Sequence, residues 1–405
     1  MTPIRLGVAG CARILPAHLR GIAVAQAAGA DPFRITALCA RQVGDALMFR
    51  RRGEGPPPRS PASDNENDPL GAPHRYVSDL QDDPVPEIYD DWRAMVESGA
   101  VDAVLILAPV SLHHQIAIAA LEAGKHVLIE KPLAISVRAG QAIVDAAARH
   151  GRVAGVAENV RYAPRTRALR SALDSGLIGE PQLWLSGGIG GEWAPDRVVA
   201  HTPWRHVKLE AGGGPAIDHG VHLMHQIRYL MGPVHELSAL TRTMEPIRVD
   251  ERTGPVRNEV EDAYLAQLRF QNGAIGTVFS AWAGRGAATG LDASPVIYGG
   301  AGCIKGADVI TADGARRPAL ELLAADAPYF PHGIEDSFAL ELLDFAAAIG
   351  AGTQMEASAA EGVLDLAMAY AILESAQSGG PVRIDDVVSG AVADYQADID
   401  AHYGL

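Results

Sequence analysis

The sequence predicts an α/β protein with a doubly wound parallel sheet in its first part and a large, mostly antiparallel open sheet in an α+β second part. The chain has 405 residues, which is long for one domain and comfortable for two. In the first part, short apolar runs alternate with helical stretches of about a dozen residues, which is typical of βαβ units. After about residue 157 strand-like runs dominate, and a "QNG" turn signal at 271–273 separates two of them.

The first domain, residues 1–157, is predicted to contain strands and helices in alternation. The strands are IRLGVA (4–9), FRITALCA (33–40), VDAVLILA (101–108), HVLIE (126–130) and VAGVAEN (153–159), and the helices are 13–29, 90–99, 111–124 and 136–151. Residues 51–87 interrupt this order because they are rich in Pro, Asp, Asn and Gly and have no apolar period. A loop of this length indicates a lid, a disordered segment or a surface insertion, and we favour the insertion.

The second domain, residues 158–375, is predicted to contain an antiparallel sheet fronted by helices. Its strand-like runs are 182–190, 235–244, 263–284 and 295–307, and its helices are 163–175, 215–231, 337–352 and 358–379. The final segment, 376–405, is expected to return toward the first domain.

The net charge of −15 and the pI of about 5.4 argue against nucleic acid or an anionic membrane as the main partner. The three cysteines, Cys11, Cys39 and Cys303, form no CxxC pair, which fits a reducing compartment without disulfides or a zinc knuckle. No apolar run reaches the roughly 20 residues that a membrane span needs, and the N-terminus lacks a signal-peptide layout. We therefore expect a cytoplasmic protein that acts on a small molecule.

A glycine-containing turn follows the first predicted strand and opens a helix. It reads GVAGCARI, and its cofactor-binding candidates are Gly7, Gly10, Cys11, Ala12, Arg13 and Ile14. Glycines at such a turn let the backbone approach a pyrophosphate at a helix N-terminus, although Ala12 stands where a further glycine is usual. The turn therefore predicts a dinucleotide site.

The second strand ends with Ala40 and Arg41, where an NAD site usually has an acid for the ribose hydroxyls. A small residue followed by Arg favours a 2′-phosphate, which a guanidinium can bind through two hydrogen bonds. These residues favour NADP over NAD. The alternative is a solvated Arg41 and a ribose that is held otherwise.

Five motifs together resemble the Gfo/Idh/MocA oxidoreductases, a family that includes glucose–fructose oxidoreductase and inositol dehydrogenases. They are residues 101–136, which contain Glu130-Lys131-Pro132, and the stretches AENVRYAP (157–164), GGGPAIDHGVH (212–222), VEDAYLAQLRFQNGAIGT (260–277) and AILESAQSG (371–379). The family's common T-P-N is replaced by Ala108-Pro109-Val110, and the loop at 51–87 is longer than usual.

The resemblance implies a nicotinamide dinucleotide in a Rossmann-like first domain and a substrate held against the open sheet of the second. It also implies a homodimer or homotetramer formed through that sheet. The cofactor-binding residues that it implies are Ala108, Pro109, His113, Glu130, Lys131 and Pro132, and we add Asn159 at a strand end.

Oxidation of a secondary alcohol by hydride transfer needs a base for the hydroxyl proton and a group that stabilises the carbonyl oxygen. We predict Lys131, Asp218 and His222 as the catalytic group. Asp218 and His222 are four residues apart and would share one face of the predicted helix, so that the acid could orient the imidazole. Two alternatives stay open for this histidine-rich stretch, namely a metal site and plain surface polarity, and His219 and His225 have no assigned role.

Substrate contacts are predicted at Arg161, Tyr162, Trp204 and Arg205, besides the catalytic group, because an aromatic ring and guanidinium donors suit a carbohydrate. Trp193, Tyr329 and His332 are further candidates. The predicted activity is hydride transfer between nicotinamide and a ring carbon of a sugar, cyclitol or sugar derivative. One alternative is a redox-assisted glycosidase that uses catalytic cofactor, and the other is a non-catalytic nucleotide-sensing protein.

Overall fold

A computed structural model describes residues 2–65, 68–190, 202–250, 254–284, 287–291, 294–323 and 329–405. The chain divides into two compact units. Unit 1 comprises Met1–Ala134, Ala139–Tyr162 and Pro328–Gly362, and unit 2 comprises Ile135–Arg138, Ala163–Ala327 and Val363–Leu405.

The first part of the chain folds as alternating strands and helices. The strands are β1 (Ile4–Ala9), β2 (Phe33–Cys39), β3 (Glu87–Tyr89), β4 (Ala103–Ile106), β5 (His126–Glu130) and β6 (Ala154–Ala157). The helices are α1 (Leu15–Ala27), α2 (Val43–Arg50), α3 (Trp92–Glu97), α4 (Val110–Glu122) and α5 (Val137–His150). The strands pair in parallel in the order β3-β2-β1-β4-β5-β6, which confirms the predicted doubly wound sheet.

The order of the parallel strands reverses direction at β1, between β2 and β4. Ligands of open α/β sheets bind beyond the carboxyl ends of the strands at such a reversal. The strands are almost fully buried there, since β1 ends in four buried residues and β4 is buried throughout. The loops that follow β1, β2, β4 and β5 therefore carry the candidate cofactor residues at one edge of a rigid sheet.

The long polar stretch at 51–87 is a surface insertion in its described part, which omits residues 66–67. It contains two short 3-10 turns, Pro69–Gly71 and Val77–Asp79, and then enters β3. Ala72 of this insertion packs into one apolar cluster with Ala17 of α1 and Phe338. Polar composition did not predict this docking.

The rest of the chain supplies further elements. The strands are β7 (Pro181–Ile189), β8 (Val234–Arg242), β9 (Ile247–Asp250), β10 (Gly254–Arg257), β11 (Ala263–Phe270), β12 (Ile275–Ala281), β13 (Thr289–Gly290), β14 (Val296–Gly299), β15 (Gly302–Lys305), β16 (Asp308–Thr311), β17 (Arg316–Pro318) and β18 (Val382–Arg383). The helices are α6 (Pro164–Asp174), α7 (Lys208–Ala211), α8 (Pro215–Asp218), α9 (Gly220–Met231), α10 (Ser337–Ala351), α11 (Ala359–Ser378), α12 (Ile384–Val388) and α13 (Ala397–Tyr403).

The sheet of unit 2 has ten described strands in the order β17-β16-β15-β14-β7-β12-β11-β8-β18, with β13 paired to β7. All its pairs are antiparallel except β12 with β7, as predicted for a mostly antiparallel sheet. Side chains alternate strictly along β11, so that one face of this strand is buried and the other is exposed. The hairpin turn between β11 and β12 has Gly273 at φ +87°, the conformation that its position requires.

One prediction about this region was wrong. The stretch 215–231 is not one helix, because α8 and α9 are separate helices that meet at His219. The segment Pro328–Gly362, which contains α10, belongs to unit 1, and Val363–Leu405 belongs to unit 2. Two contacts hold the last part of the chain within unit 2: Ser136 donates a buried hydrogen bond to Asp400, and β18 pairs with β8.

No helix among the described residues has both the length and the apolar character that crossing a membrane would require.

Candidate active site

The glycine turn after β1 has the geometry of a backbone cradle. Gly10 has φ +110°, and a Cβ there would lie 2.5 Å from the carbonyl carbon of Leu107, so only glycine fits. Helix α1 then begins at Leu15 with no side-chain cap on its N-cap residue, Ile14, and no acid in its first turn. Uncapped N–H groups at a helix N-terminus suit an anion, so these residues fit the pyrophosphate of a dinucleotide.

The side chains of the turn differ in what they can contribute. Ala12 and Arg13 are exposed, whereas Cys11 is buried and its thiol donates to the carbonyl of Cys39. Burial raises the pKa of Cys11 well above its usual range, so it stays a neutral thiol. Only the backbone of Cys11 is available for the predicted cofactor contact. Gly7 packs inside, where a Cβ would meet Val101 and Met95.

The end of β2 presents one exposed cation. Ala40 is buried and its N–H donates to the carbonyl of Tyr89, whereas Arg41 is exposed. Asp45, in the first turn of α2, is ion-paired with Arg59 of the insertion. The carboxylate nearest in sequence to Arg41 is thus already paired with a different arginine.

The Glu130-Lys131-Pro132 turn is held from within unit 1 by a buried histidine. One oxygen of Glu130 lies 3.0 Å from Nε2 of His18, and the other accepts the backbone N–H of Lys131 at 2.9 Å. Nδ1 of His18 lies 3.7 Å from Oε1 of Glu341, which is fully buried. Burial, with help from Glu130 and Glu158, raises the pKa of Glu341 well above its usual range. This network fixes the backbone of Lys131, whose own side chain is half-buried, at the carboxyl edge of the sheet.

His113 joins the two loops that carry the other predicted cofactor residues. Its Nδ1 lies 2.9 Å from the carbonyl oxygen of Pro132 and its Nε2 lies 2.8 Å from that of Ala108. Burial lowers the pKa of His113, so the neutral ring donates to one carbonyl at a time. Because its two nitrogens face carbonyl groups of different loops, His113 positions the loop after β4 and the loop after β5. Pro109, in the loop after β4, is the N-cap of α4.

The side chains of the residues after β6 contact partners within unit 1, and this corrects the substrate prediction for Tyr162. The hydroxyl of Tyr162 is buried and donates to Asp344 at 2.6 Å, so Tyr162 is not available to a substrate. Arg161 is ion-paired with Glu356 at 3.2 Å, and the Asn159 amide donates to Ser337. These side chains anchor the chain against the segment that contains α10.

In unit 2 the structure brings three predicted residues together. Nε of Arg205 donates to Oδ2 of Asp218 at 2.8 Å, and both side chains are mostly buried. The same guanidinium lies 4.5 Å from the centre of the Trp204 ring. An aromatic face, a fixed guanidinium and a carboxylate form a polar cluster of the kind that binds sugar hydroxyls. His222 is the third residue of α9 and is half-buried. The exposed His219 lies between Asp218 and His222 in the sequence, and its ring is 6.4 Å from that of His222.

Glu261 is a functional candidate that the sequence analysis missed. It is buried, and its two oxygens accept the N–H groups of Gly214 and Ala216, each at 2.9 Å, at the start of α8. Burial outweighs these bonds and raises the pKa of Glu261 to about 7. A Cβ on Gly214 would lie 1.7 Å from the carbonyl oxygen of Glu261, so the glycine is required. The residue lies in a motif that carried the family resemblance, and the available signal was an acidic residue just before the alternating strand β11.

His225 of α9 has a structural partner. Nδ1 of buried His225 lies 2.7 Å from Oδ2 of Asp365, and Arg228 binds the other oxygen at 2.9 Å. Burial acts to raise the pKa of Asp365, but His225 and Arg228 outweigh it and lower the pKa. His225 therefore packs α9 onto α11.

The metal alternative gains no support from the described residues, among which no group of three or more His, Cys, Asp or Glu side chains could hold an ion. Of the further substrate candidates, Trp193 lies outside the described residues. Tyr329 packs edge-on against Phe330, and His332 has φ 59°, a left-handed conformation.

Two family models match the chain. One, described as an oxidoreductase family with an NAD-binding Rossmann fold, matches residues 70–158, and the GFO/IDH/MocA C-terminal domain matches residues 166–305. Levoglucosan dehydrogenase of Pseudarthrobacter phenanthrenivorans is 33% identical over 46% of this chain, which spans only 51% of that relative. A 1,5-anhydro-D-fructose reductase of Ensifer adhaerens is 29% identical over 70% of this chain and 80% of its own length. A solved structure of levoglucosan dehydrogenase in its apo form is 26% identical and superposes with a TM-score of 0.73 over 95% of this chain and 99% of that one.

Proposed function

We propose that this chain, which belongs to the Gfo/Idh/MocA family of oxidoreductases, transfers a hydride between a nicotinamide dinucleotide and a ring carbon of a sugar, cyclitol or sugar derivative. The observation that carries the proposal is the position of Lys131. It follows β5 directly, at the same sheet edge as the Gly10 turn, with only β4 between β5 and β1. A half-buried cation at that edge suits an oxygen that gains negative charge.

The bound nicotinamide would supply the acceptor or donor of the hydride, and the chain's residues would handle the oxygen and its proton. Lys131 stabilises the substrate oxygen, and His222 takes the hydroxyl proton during oxidation and returns it during reduction. Asp218 accepts a hydrogen bond from a substrate hydroxyl or orients His222. Arg205 holds this carboxylate in place through a charge-assisted hydrogen bond.

The names of the relatives support a carbohydrate-like substrate, since they act on levoglucosan and on 1,5-anhydro-D-fructose. The cluster of Trp204, Arg205 and Asp218 suits such a substrate, because a ring can stack on Trp204 while the polar groups bind its hydroxyls. The names are dehydrogenase and reductase, so they do not favour the glycosidase or the nucleotide-sensing alternative.

The test is a panel of sugars, cyclitols and glycosides, supplied with NAD⁺ and NADP⁺ separately. Reduced nicotinamide should accumulate in proportion to oxidised sugar, and a Lys131→Met variant should lose about two to three orders of magnitude in kcat. Lys305→Met, which removes an exposed lysine of β15, is the matched control. Glycoside cleavage without net cofactor reduction would contradict the proposal.

The family model describes an NAD-binding fold, and a preference for NADP remains a prediction that rests on Ala40 and Arg41. A cytoplasmic location likewise remains a prediction.

A homodimer or homotetramer is proposed from the exposed face of the unit 2 sheet. Leu265 of β11 is 55% exposed and lies directly opposite Leu240 of β8, which is 72% exposed. On its other side Leu265 pairs with Phe279 of β12, so three apolar side chains form one row across three strands. A row of this kind indicates an interface, and a Leu265→Asp variant should shift the mass measured by light scattering toward the monomer.

A further inference from the structure

We infer that residues 59–62 of the insertion are part of the dinucleotide site and that Arg59 binds a phosphate on the adenosine half of the cofactor. The inference rests on the proposed function, because it assumes a dinucleotide at the Gly10 turn. It adds a binding residue that comes from outside the βαβ units and that the sequence analysis did not assign.

The first observation is the position of residues 59–62. They line a narrow cleft together with Ala12 and Arg13 of the glycine turn, and the apolar side chains of Met48 and Phe49 of α2 also line this cleft. The exposed side chains of the glycine turn and a segment of the insertion therefore face the same space. A ligand phosphate at the turn would border the cleft that Arg59 also lines.

The second observation is that the described part of the insertion is docked in place. Ala72 packs with Ala17 of α1, and the partly buried Ile14 packs against the same cluster. The N–H of Ala62 donates to the carbonyl of Leu70, and Gly55 approaches α2 so closely that a Cβ would lie 2.3 Å from the nitrogen of Met48. Because these contacts fix the segment against α1 and α2, little conformational entropy is lost when a ligand binds there.

The third observation is the charge of the cleft. Arg59 is ion-paired with Asp45 of α2, and its side chain is 41% exposed. A guanidinium has five N–H donors, so the pair with Asp45 leaves donors for an anion while holding the group in place. Asp45 also lowers the positive potential, but Arg13 and Arg41 are both exposed on the neighbouring loops.

Two phosphates of a dinucleotide could be the partner of Arg59. The pyrophosphate is shared by NAD and NADP, whereas the 2′-phosphate of the adenosine ribose belongs to NADP alone. Both present oxygen acceptors that a guanidinium binds bidentately. The experiment separates them by comparing ligands that carry one, the other or both.

The experiment measures binding to the full-length protein by calorimetry, with NADH, NADPH, ADP and 2′,5′-ADP as probes. The test variant is Arg59→Gln. The matched control is Arg52→Gln, in the same insertion, since Arg52 is 75% exposed and stacks 4.6 Å from the Tyr76 ring away from the cleft. Loss of one charge-assisted contact should weaken binding about tenfold or more.

Weaker binding of NADPH and 2′,5′-ADP alone assigns Arg59 to the 2′-phosphate. Weaker binding of NADH, NADPH and ADP, with or without weaker binding of 2′,5′-ADP, assigns it to the pyrophosphate, because 2′,5′-ADP carries only a single 5′-phosphate there. Unchanged binding of every probe, or an equal loss in Arg52→Gln, overturns the inference. Wild-type protein that binds none of the probes would instead refute the proposed function, so the two failures are distinguishable. A thermal unfolding scan without ligand checks that Arg59→Gln keeps its fold.

Discussion

The buried carboxyl of Glu261 predicts a pH-dependent stability that a single substitution removes. The pKa of Glu261 is raised from 4.5 to about 7 because burial disfavours its charge. A carboxyl with a raised folded-state pKa stabilises the fold fully below the unfolded pKa, and this contribution is lost as the pH rises through the folded pKa. The difference between 4.5 and about 7 corresponds to about 3 kcal/mol, since one pKa unit is worth about 1.4 kcal/mol.

The perturbation is Glu261→Gln, which keeps the shape and cannot ionise. The free energy of unfolding of the variant should be lower by about 1–2 kcal/mol at every pH, because its amide can accept only one of the N–H groups of Gly214 and Ala216. On top of this constant loss, the free energy of unfolding of the wild type relative to the variant should fall by about 3 kcal/mol between about pH 4.5 and pH 8.

The assay is urea unfolding at a series of pH values for the wild type, Glu261→Gln and Glu259→Gln. Glu259 is the control because it is exposed and lies two residues away. Subtracting the unfolding free energy of the variant from that of the wild type at each pH cancels the contribution of every other titrating group, including Glu341. A difference in unfolding free energy that stays constant over this pH range would refute the reasoning.

Three further predictions concern residues placed by the structure. Gly10→Ala should cost about 2 kcal/mol or more and abolish dinucleotide binding, since the added Cβ meets backbone at 2.5 Å; unchanged calorimetric binding would contradict this. Asp365→Ala should lower the free energy of unfolding in urea by about 3 kcal/mol, because it leaves His225 and Arg228 without their shared carboxylate. Tyr162→Phe should cost about 1 kcal/mol and change kcat/KM by less than about twofold, and a large rise in KM would restore Tyr162 as a substrate residue.

The parallel sheet, the hairpin at Gly273 and the family could be predicted from the sequence because their signals are local. Strand β1 and the hairpin turn have the predicted residues, and two family models confirm the family. The partners of the site residues could not be predicted, because they lie far away along the chain. Asp365 is 140 residues from His225, and Asp344 is 182 residues from Tyr162.

The break at His219 shows the same limit within one short stretch. The sequence from 215 to 231 has helical composition throughout, so one helix was the local prediction. The N-terminus of α8 is instead held by the carboxylate of Glu261, 47 residues further along, and α9 starts anew after His219. Asp218 and His222 therefore lie on consecutive helices, and Asp218 is oriented by Arg205 rather than by helical spacing alone.

The most direct test of the central claim is the transfer of deuterium from a sugar labelled at its ring carbons to the nicotinamide ring. Each molecule of oxidised product should be matched by one deuterium on C4 of the reduced nicotinamide, and Lys131→Met should lower the rate of this transfer while Lys305→Met should not. Deuterium that exchanges into water, or a rate that is unchanged in Lys131→Met, would contradict this claim.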